Sequence, residues 1–551
     1  MPRGPHSEAR AELTERAEST LREQLERERE RADRLETELQ QERSKGCWVR
    51  PFGSYRKFVE VRQQLCSNVG IRRCHMTRRL PVTPSPAPLE GYATRFDDLF
   101  RARAQREGFR RYLEGLLLPA ERNKTLTALA NTEPVEGAQR KEAQSLQWFL
   151  SESRWDAEEV NERRLELLFE TPTTAPDGEG VLVIDEHGDR KWGKKTAHVG
   201  KQWLGNMGKT ENGVVSVSSL LADEGVYYPL EVEPYTPAHH FEGGKNDPRF
   251  RTKLKIAQQL VQRSVAEGVP FRAVVADSFY GEDEDFRQAL SGLGVGYVMA
   301  LKESHSWWHK EGTIGALWEA ALAAGWKNAG DPGEWRGVIR TFRDGHQERW
   351  WALEVEAGPY SPKKAQRALV VTTDPERLPR LGTWYLITNL PAPSSGRVEE
   401  DSGEALLAPA SVGEVVRLYG LRMWVEQSYK QVKHALGWSD YQVRSDLAIR
   451  RHWQLVCCAF SFCWWANAEW LEELGAPPGI VLEDDTEEVV PTASTTTEGR
   501  GKKERAPLCS HGVMAGGAEA GKSMAGALHN AHAILEGVHR QGPARRIESV
   551  A

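Results

Sequence analysis

Val181-Leu182-Val183-Ile184-Asp185 and Ala273-Val274-Val275-Ala276-Asp277 are the two stretches whose reading decides the fold. Each is a run of four apolar residues that ends in an aspartate. A short apolar run without alternation reads as a strand covered on both faces, as at the centre of a parallel or mixed sheet. In open α/β sheets, ligands bind beyond the carboxyl ends of such strands. An aspartate placed there has two uses. It starts a loop or caps a helix, or it offers oxygen to a hard cation such as Mg²⁺. Two such aspartates on adjacent strands would converge on one cation site.

Working outward, Gly213 to Leu220, Tyr227 to Val232 and Tyr297 to Leu301 have strand texture, and Asp247 to Glu267 has helical texture. Residues 178–302 therefore read as the first part of an α/β core. Residues 303–382 hold seven of the 19 tryptophans, with strand-like runs near 336–342, 349–356 and 368–373. They read as a mostly β insertion subdomain. Trp384 to Asn389 returns to strand texture and helices follow from about 411, so residues 383–470 form the second part of the core. Before the core, residues 92–177 show helical spacing of Phe96, Leu99, Tyr112, Leu116, Leu146 and Phe149. Between Arg101 and Lys124 stand seven basic residues against three acidic ones. This segment reads as a helical DNA-binding domain, with an ordinary solvated face as the competing reading.

The ends differ in kind. Residues 1–45 are a charged helix or weak coiled coil. Residues 46–91 are a linker with Pro81, Pro84, Pro86 and Pro88, and Met76 before that run is a candidate natural start of translation. Residues 471–551 form a low-complexity tail expected to be mostly disordered. The chain of 551 residues carries 73 Lys and Arg against 79 Asp and Glu, a net charge of −6. That balance excludes a histone-like coat but not a local basic groove. No apolar run approaches ~18 residues and no signal-peptide core is present, so a membrane span and secretion are not expected and the cytoplasm fits. Seven cysteines without a C-x-x-C pair speak against a disulfide framework or a structural zinc site.

A third element lies in Leu418-Tyr419-Gly420-Leu421-Arg422-Met423-Trp424-Val425-Glu426-Gln427-Ser428-Tyr429-Lys430-Gln431-Val432-Lys433. On one continuous helix, Tyr419, Arg422, Glu426 and Lys433 fall within an arc of about 60°. Leu418, Leu421, Val425, Val432 and Leu436 form the apolar stripe beside it. Glu426 would complete a carboxylate set, Arg422 and Lys433 would grip phosphates, and Tyr419 would donate a hydrogen bond. An Arg–Glu surface pair with a snorkelling lysine is the alternative. From Arg417 to Arg451 seven basic residues again face three acidic ones.

The spacing Y-(2)-R-(3)-E-(6)-K at Tyr419, Arg422, Glu426 and Lys433 resembles the signature of a large branch of bacterial insertion-sequence DDE transposases. Ile184-Asp185-Glu186 with Gly188, Lys191, Gly193, Lys194 and Val199 to Trp203 resembles the region of the first Asp. Val275 to Gly281 resembles the region of the second, and Gly437 to Arg444 with Arg451-His452 the sequence after the Glu helix. The resemblance covers roughly residues 92–470. It implies an RNase H-like core of mixed sheet and helices, with Asp185, Asp277 and Glu426 as catalytic residues and metal ligands for two Mg²⁺ ions, replaceable by Mn²⁺. It implies cleavage at the ends of the element and strand transfer into target DNA. Tyr419, Arg422 and Lys433, with Lys430 and Arg444, would hold the DNA. The implied partners are double-stranded DNA bearing terminal inverted repeats, target DNA, and a second copy of the chain in a synaptic complex, in the cytoplasm at the nucleoid. Tryptophans of the insertion could stack on an extruded base. Glu186 and Asp189 are spare acids, and His452 is either a core histidine or a phosphate contact. The competing readings are a catalytically inactive DNA-binding regulator derived from a transposase, a metal-dependent DNA endonuclease without strand transfer, and a coiled-coil scaffold.

Overall fold

The computed structural model describes residues 81–466, except 87, 120–121, 309–312, 342–346, 356–365 and 394–406, together with the backbone of Ile480–Leu482. The expected N-terminal helix and most of the Pro-rich linker and C-terminal tail lie outside the described residues.

The described chain opens with helices. These are α1 (Leu89–Ala93), α2 (Arg103–Leu117), α3 (Leu126–Leu129), α4 (Lys141–Ser151) and α5 (Ala157–Glu170). Strands β1 (Val181–Arg190), β2 (Gly200–Leu204), β3 (Lys209–Ala222) and β4 (Tyr227–Tyr235) follow, with β3 antiparallel to each of the other three. Helix α6 (Lys253–Ala266) leads to β5 (Ala273–Ala276), and α7 (Ser278–Gly281) and α8 (Glu284–Gly292) lead to β6 (Tyr297–Ala300). A small hairpin, β7 (Ser306–Trp308) with β8 (Ile314–Ala316), and α9 (Leu317–Ala323) precede β9 (Arg336–Thr341), β10 (Gln347–Val355), β11 (Arg367–Thr372) and β12 (Thr383–Thr388). Helices α10 (Val412–Gly420), α11 (Met423–His434) and α12 (Asp446–Ala466) follow, then β13 (Ile480–Leu482).

Strands β4, β3, β1, β5 and β6 lie side by side in that order. β3 is antiparallel to both β4 and β1, whereas β5 is parallel to β1 and β6 parallel to β5. Three antiparallel strands joined to two parallel ones, with helices on the faces, is the RNase H-like arrangement. The first five residues of β1 and all four of β5 are buried, because helices cover the sheet. This explains why neither run alternates in sequence.

Apart from the small β7–β8 hairpin, the strands of the Trp-rich segment do not form a separate sheet. β12 pairs antiparallel with β6, and β11, β10 and β9 follow outward, so these strands extend the core sheet at its β6 edge. Trp307, Trp335, Trp350 and Trp351 are buried there, with Trp326 edge-on to Trp351 at 4.6 Å. They serve the core of the extension. Trp318, at 40% exposure, is the most open of the segment's tryptophans.

The N-terminal helices share one hydrophobic core with the sheet. Helix α12 is the hub. Its Arg451 donates to the backbone oxygens of Leu150 (3.1 Å) and Trp155. Buried Arg164 of α5 donates to Pro229 O (2.7 Å) and Ser461 Oγ (3.1 Å), tying α5, β4 and α12 together. Among the described residues, no helix is long and apolar enough to cross a membrane. Cys457, Cys458 and Cys463 are buried in α12.

Candidate active site

The register of the central strands sets the site. Ile184 pairs with Ala276, so Asp185 and Asp277 follow the last paired residues of two neighbouring parallel strands. Asp277 Oδ1 accepts from Phe279 N at 2.9 Å, capping α7, so it performs the capping role while facing Asp185. Gly281 makes this turn possible, since a Cβ there would stand 1.9 Å from Ala300 O. Asp185 is buried, and burial is the main reason its carboxyl is pushed up to about 7. Asp277 adds to that rise and Arg422 opposes it.

The helix carrying the third acid is not continuous. α10 ends at Gly420 and α11 begins at Met423. Between them Arg422 N donates to Tyr419 O (3.0 Å), Trp424 N to Leu421 O (3.1 Å) and Val425 N to Arg422 O (3.1 Å). This three-residue spacing is the tight 3₁₀ pattern, and it changes the phase between the two helices. The arc expected of Tyr419, Arg422, Glu426 and Lys433 on one continuous helix is therefore carried by two helices and the turn between them.

Helix α11 and Arg422, the residue just before it, lie along β1, and three of their contacts meet alternate residues of that strand. Arg422 Nη2 stands 3.5 Å from Asp185 Oδ2. The Tyr429 ring packs on the His187 ring with centroids 4.6 Å apart. Lys433 Nζ reaches Asp189 Oδ1 at 2.7 Å. Side chains two apart on a strand share a face, so Asp185, His187 and Asp189 form one polar row. Asp189 is buried. Burial alone would raise its carboxyl, but His187 at 3.2 Å and Lys433 outweigh it and hold it at about 2. Lys433 is thus committed to an internal acid. Tyr429 also shares a hydrogen bond of 2.5 Å with Ser218 Oγ, opposite Asp185 on β3.

Arg422 sits between two acids, with Nη1 3.5 Å from Glu426 Oε1. Burial disfavours its charge, but Asp185, Tyr419, Asp277 and Glu426 outweigh that and keep it protonated. Its Nε is buried without a hydrogen-bond partner. The Glu426 side chain is 71% exposed at the rim. Tyr419 is buried edge-on to Trp384, 5.1 Å between centroids, and burial keeps its phenol protonated beside the acids. On the other face of β1, Glu186 pairs with Lys253 at 2.7 Å and accepts from Tyr280 Oη at 3.4 Å.

Much of the basic charge counted near the signature is spent inside the protein. Arg417 pairs with Glu224 at 2.5 Å, Arg450 with Glu233 at 3.0 Å, and Arg451 is buried. Lys430 and Arg444 are exposed. The N-terminal basic segment behaves similarly. Arg110 is buried against Glu90 and Asp97, and Lys124 against the carbonyl oxygens of Gly115 and Leu118. His452 is a core histidine, 2.8 Å from Tyr112 Oη and 3.1 Å from Gly437 O, and burial pushes it down to about 4.

The residues that sequence reasoning left unplaced are His187, Tyr429 and Ser218. The available signal was the period-two row Asp185, His187, Asp189 in an otherwise apolar strand.

An RNase H-like sheet with acids just where the parallel pairing of its two central strands ends places the chain among the metal-dependent enzymes that cut nucleic acid. A family profile described as DDE superfamily endonuclease matches residues 95–321, and one described as transposase DDE domain matches residues 251–462. The chain is 31% identical over 370 residues to the probable transposase for insertion sequence element IS701 of Microchaete diplosiphon, an alignment covering 67% of this chain and 85% of that protein. The chain belongs to the DDE transposases of insertion sequences.

Use of a divalent cation goes with that membership. Among the described residues, no three His, Cys, Asp or Glu side chains converge closely enough to hold an ion together. The donor chemistry fits, because carboxylate oxygens suit a hard divalent ion. The raised Asp185 carboxyl, beside Asp277 and met by its own arginine only at 3.5 Å, is a group that added positive charge would ionise.

Proposed function

We propose that Asp185, Asp277 and Glu426 hold two Mg²⁺ ions, with Mn²⁺ able to substitute, and that this site cuts DNA at the ends of the element and joins the freed 3′-hydroxyl to target DNA. The observation that carries this reading is the register of β1 and β5, which sets Asp185 beside Asp277 with Arg422 bridging toward Glu426. When bound, divalent ions activate the attacking oxygen and stabilise the leaving one. The chain's own groups do the rest. Asp185 and Asp277 would hold the cations with Glu426, and Arg422, which lies between Asp185 and Glu426, would offer its charge to the scissile phosphate. Tyr419 donates from a phenol that stays protonated. Lys430 and Arg444 contact the DNA backbone from the surface, and Lys433 acts through Asp189 to fix α11 on β1. The substrates are double-stranded terminal inverted repeats and target DNA, held by two copies of the chain in a synaptic complex, in the cytoplasm at the nucleoid.

The test is cleavage of a labelled duplex carrying the element's ends. Asp277→Asn should lower cleavage by at least on the order of 10²-fold, the scale of losing one transition-state stabiliser, while DNA affinity stays near that of the unaltered protein. Cleavage that survives this substitution, or survives EDTA, would overturn the assignment.

A further inference from the structure

Residues 190–209, from the end of β1 through β2, contain six basic residues and no acidic one, in a chain of net charge −6. Unlike the basic charge near the signature, most of it faces solvent. Arg190, Lys194, Lys195, Lys201 and Lys209 are all exposed. Trp192 in their midst is 83% exposed, an unusual place for an indole. The Arg190 guanidinium covers one face of its ring at 3.9 Å from the centroid.

The loop is braced. Asn212 Nδ2 donates to the backbone oxygens of Lys191 (2.5 Å) and Gly193 (3.1 Å). Lys191 Nζ donates to Ser439 O at 2.8 Å and lies over the Tyr441 ring at 3.4 Å. Ala197 N donates to Arg444 O at 2.8 Å, joining the loop to the segment that carries exposed Arg444. A ligand would meet this surface already ordered, which lowers the cost of binding.

We propose that this loop is a strand-end platform, on which Trp192, backed by Arg190, stacks on an unpaired base of the DNA while Lys194, Lys195 and Lys201 hold its phosphates. The proposal rests on the DNA-cutting reading above. The basic surround calls for a polyanion, and a flat ring this exposed calls for the face of a base. Paired bases offer only edges, so the occupant is a single-stranded flank. Arg190 lies five residues along β1 from Asp185, roughly 16 Å at ~3.3 Å per residue. That is the span of about five steps of duplex at ~3.4 Å, or of fewer steps of an extended single strand, so one DNA can engage the acids and the platform together.

The experiment uses the full chain in EDTA, so that binding is read without cleavage, with a duplex of the element's end either blunt or carrying a five-nucleotide single-stranded flank. The unaltered protein should bind the flanked DNA roughly tenfold more tightly than the blunt one, the scale of one base stacked on an aromatic ring. Trp192→Ala should abolish that preference and leave blunt-end affinity in place, and Trp192→Phe should restore most of it. Lys194→Ala with Lys195→Ala should instead weaken both DNAs and reduce the salt slope by roughly two. An unaltered preference in Trp192→Ala, or equal loss on both DNAs, would overturn the platform. Failure of the unaltered protein to bind either DNA would overturn the platform and the DNA-cutting reading together, whereas loss of the preference alone would leave cleavage intact.

Discussion

Lys433 carries a different task from the one its place in the signature suggests. Its ammonium is 2.7 Å from the buried Asp189, which also receives His187. Removing one partner of a buried ion pair leaves an uncompensated charge and costs about 3 kcal/mol. Lys433→Met should therefore lower the urea midpoint by about that equivalent, and adding Asp189→Asn should recover most of the loss. A phosphate contact would give the opposite pattern, with weakened DNA binding and an unchanged midpoint. Asp185, Asp277 and Glu426 could be singled out because apolar runs that end in an acid and a spaced signature are sequence patterns. The partner of Lys433 could not, because Asp189 is 244 residues away in the chain and meets it only when α11 lies on β1.

At the level of elements, β1 and β5 begin where their apolar runs begin and β5 ends with its run, but β1 continues six residues past Ile184 to Arg190, where β3 still pairs with it. The break between α10 and α11 was not legible in the sequence, because apolar periodicity runs through Gly420 without a gap. A single glycine in a helical pattern does not announce a 3₁₀ turn. The packing of α12 was also hidden. His452 of that helix bonds Tyr112 of α2 and the carbonyl of Gly437, and so locks three segments. Burial pushes its imidazole down to about 4 from an ordinary value near 6.5. Between pH 6.5 and 4 the unfolded chain binds a proton that the folded chain refuses, so stability from this group is full above 6.5 and falls as pH drops toward 4. The loss amounts to about 3 kcal/mol. His452→Gln should flatten the pH dependence of the urea midpoint across this window. An unchanged slope would mean that the histidine is protonated in the folded protein.

Across the whole molecule, charge counted along the chain was a poor guide to charge on the surface. The basic segments 101–124 and 417–451 spend much of their excess on internal partners, including Arg110, Lys124, Arg417, Arg450 and Arg451. The loop 190–209 keeps its charge outside. Burial decides this, and a one-dimensional count does not contain it. Glu426 stands at the rim on its own helix, 71% exposed, while Asp185 and Asp277 lie on the central strands, so it is where a three-acid site faces its hardest test. The decisive measurement is Mg²⁺-dependent cleavage of an inverted-repeat duplex by Glu426→Gln, read beside the unaltered protein at matched DNA occupancy. The proposed site requires cleavage to fall by at least on the order of 10²-fold, with folding and DNA affinity preserved. Cleavage at the unaltered rate would contradict it and leave Asp185 and Asp277 without their third acid.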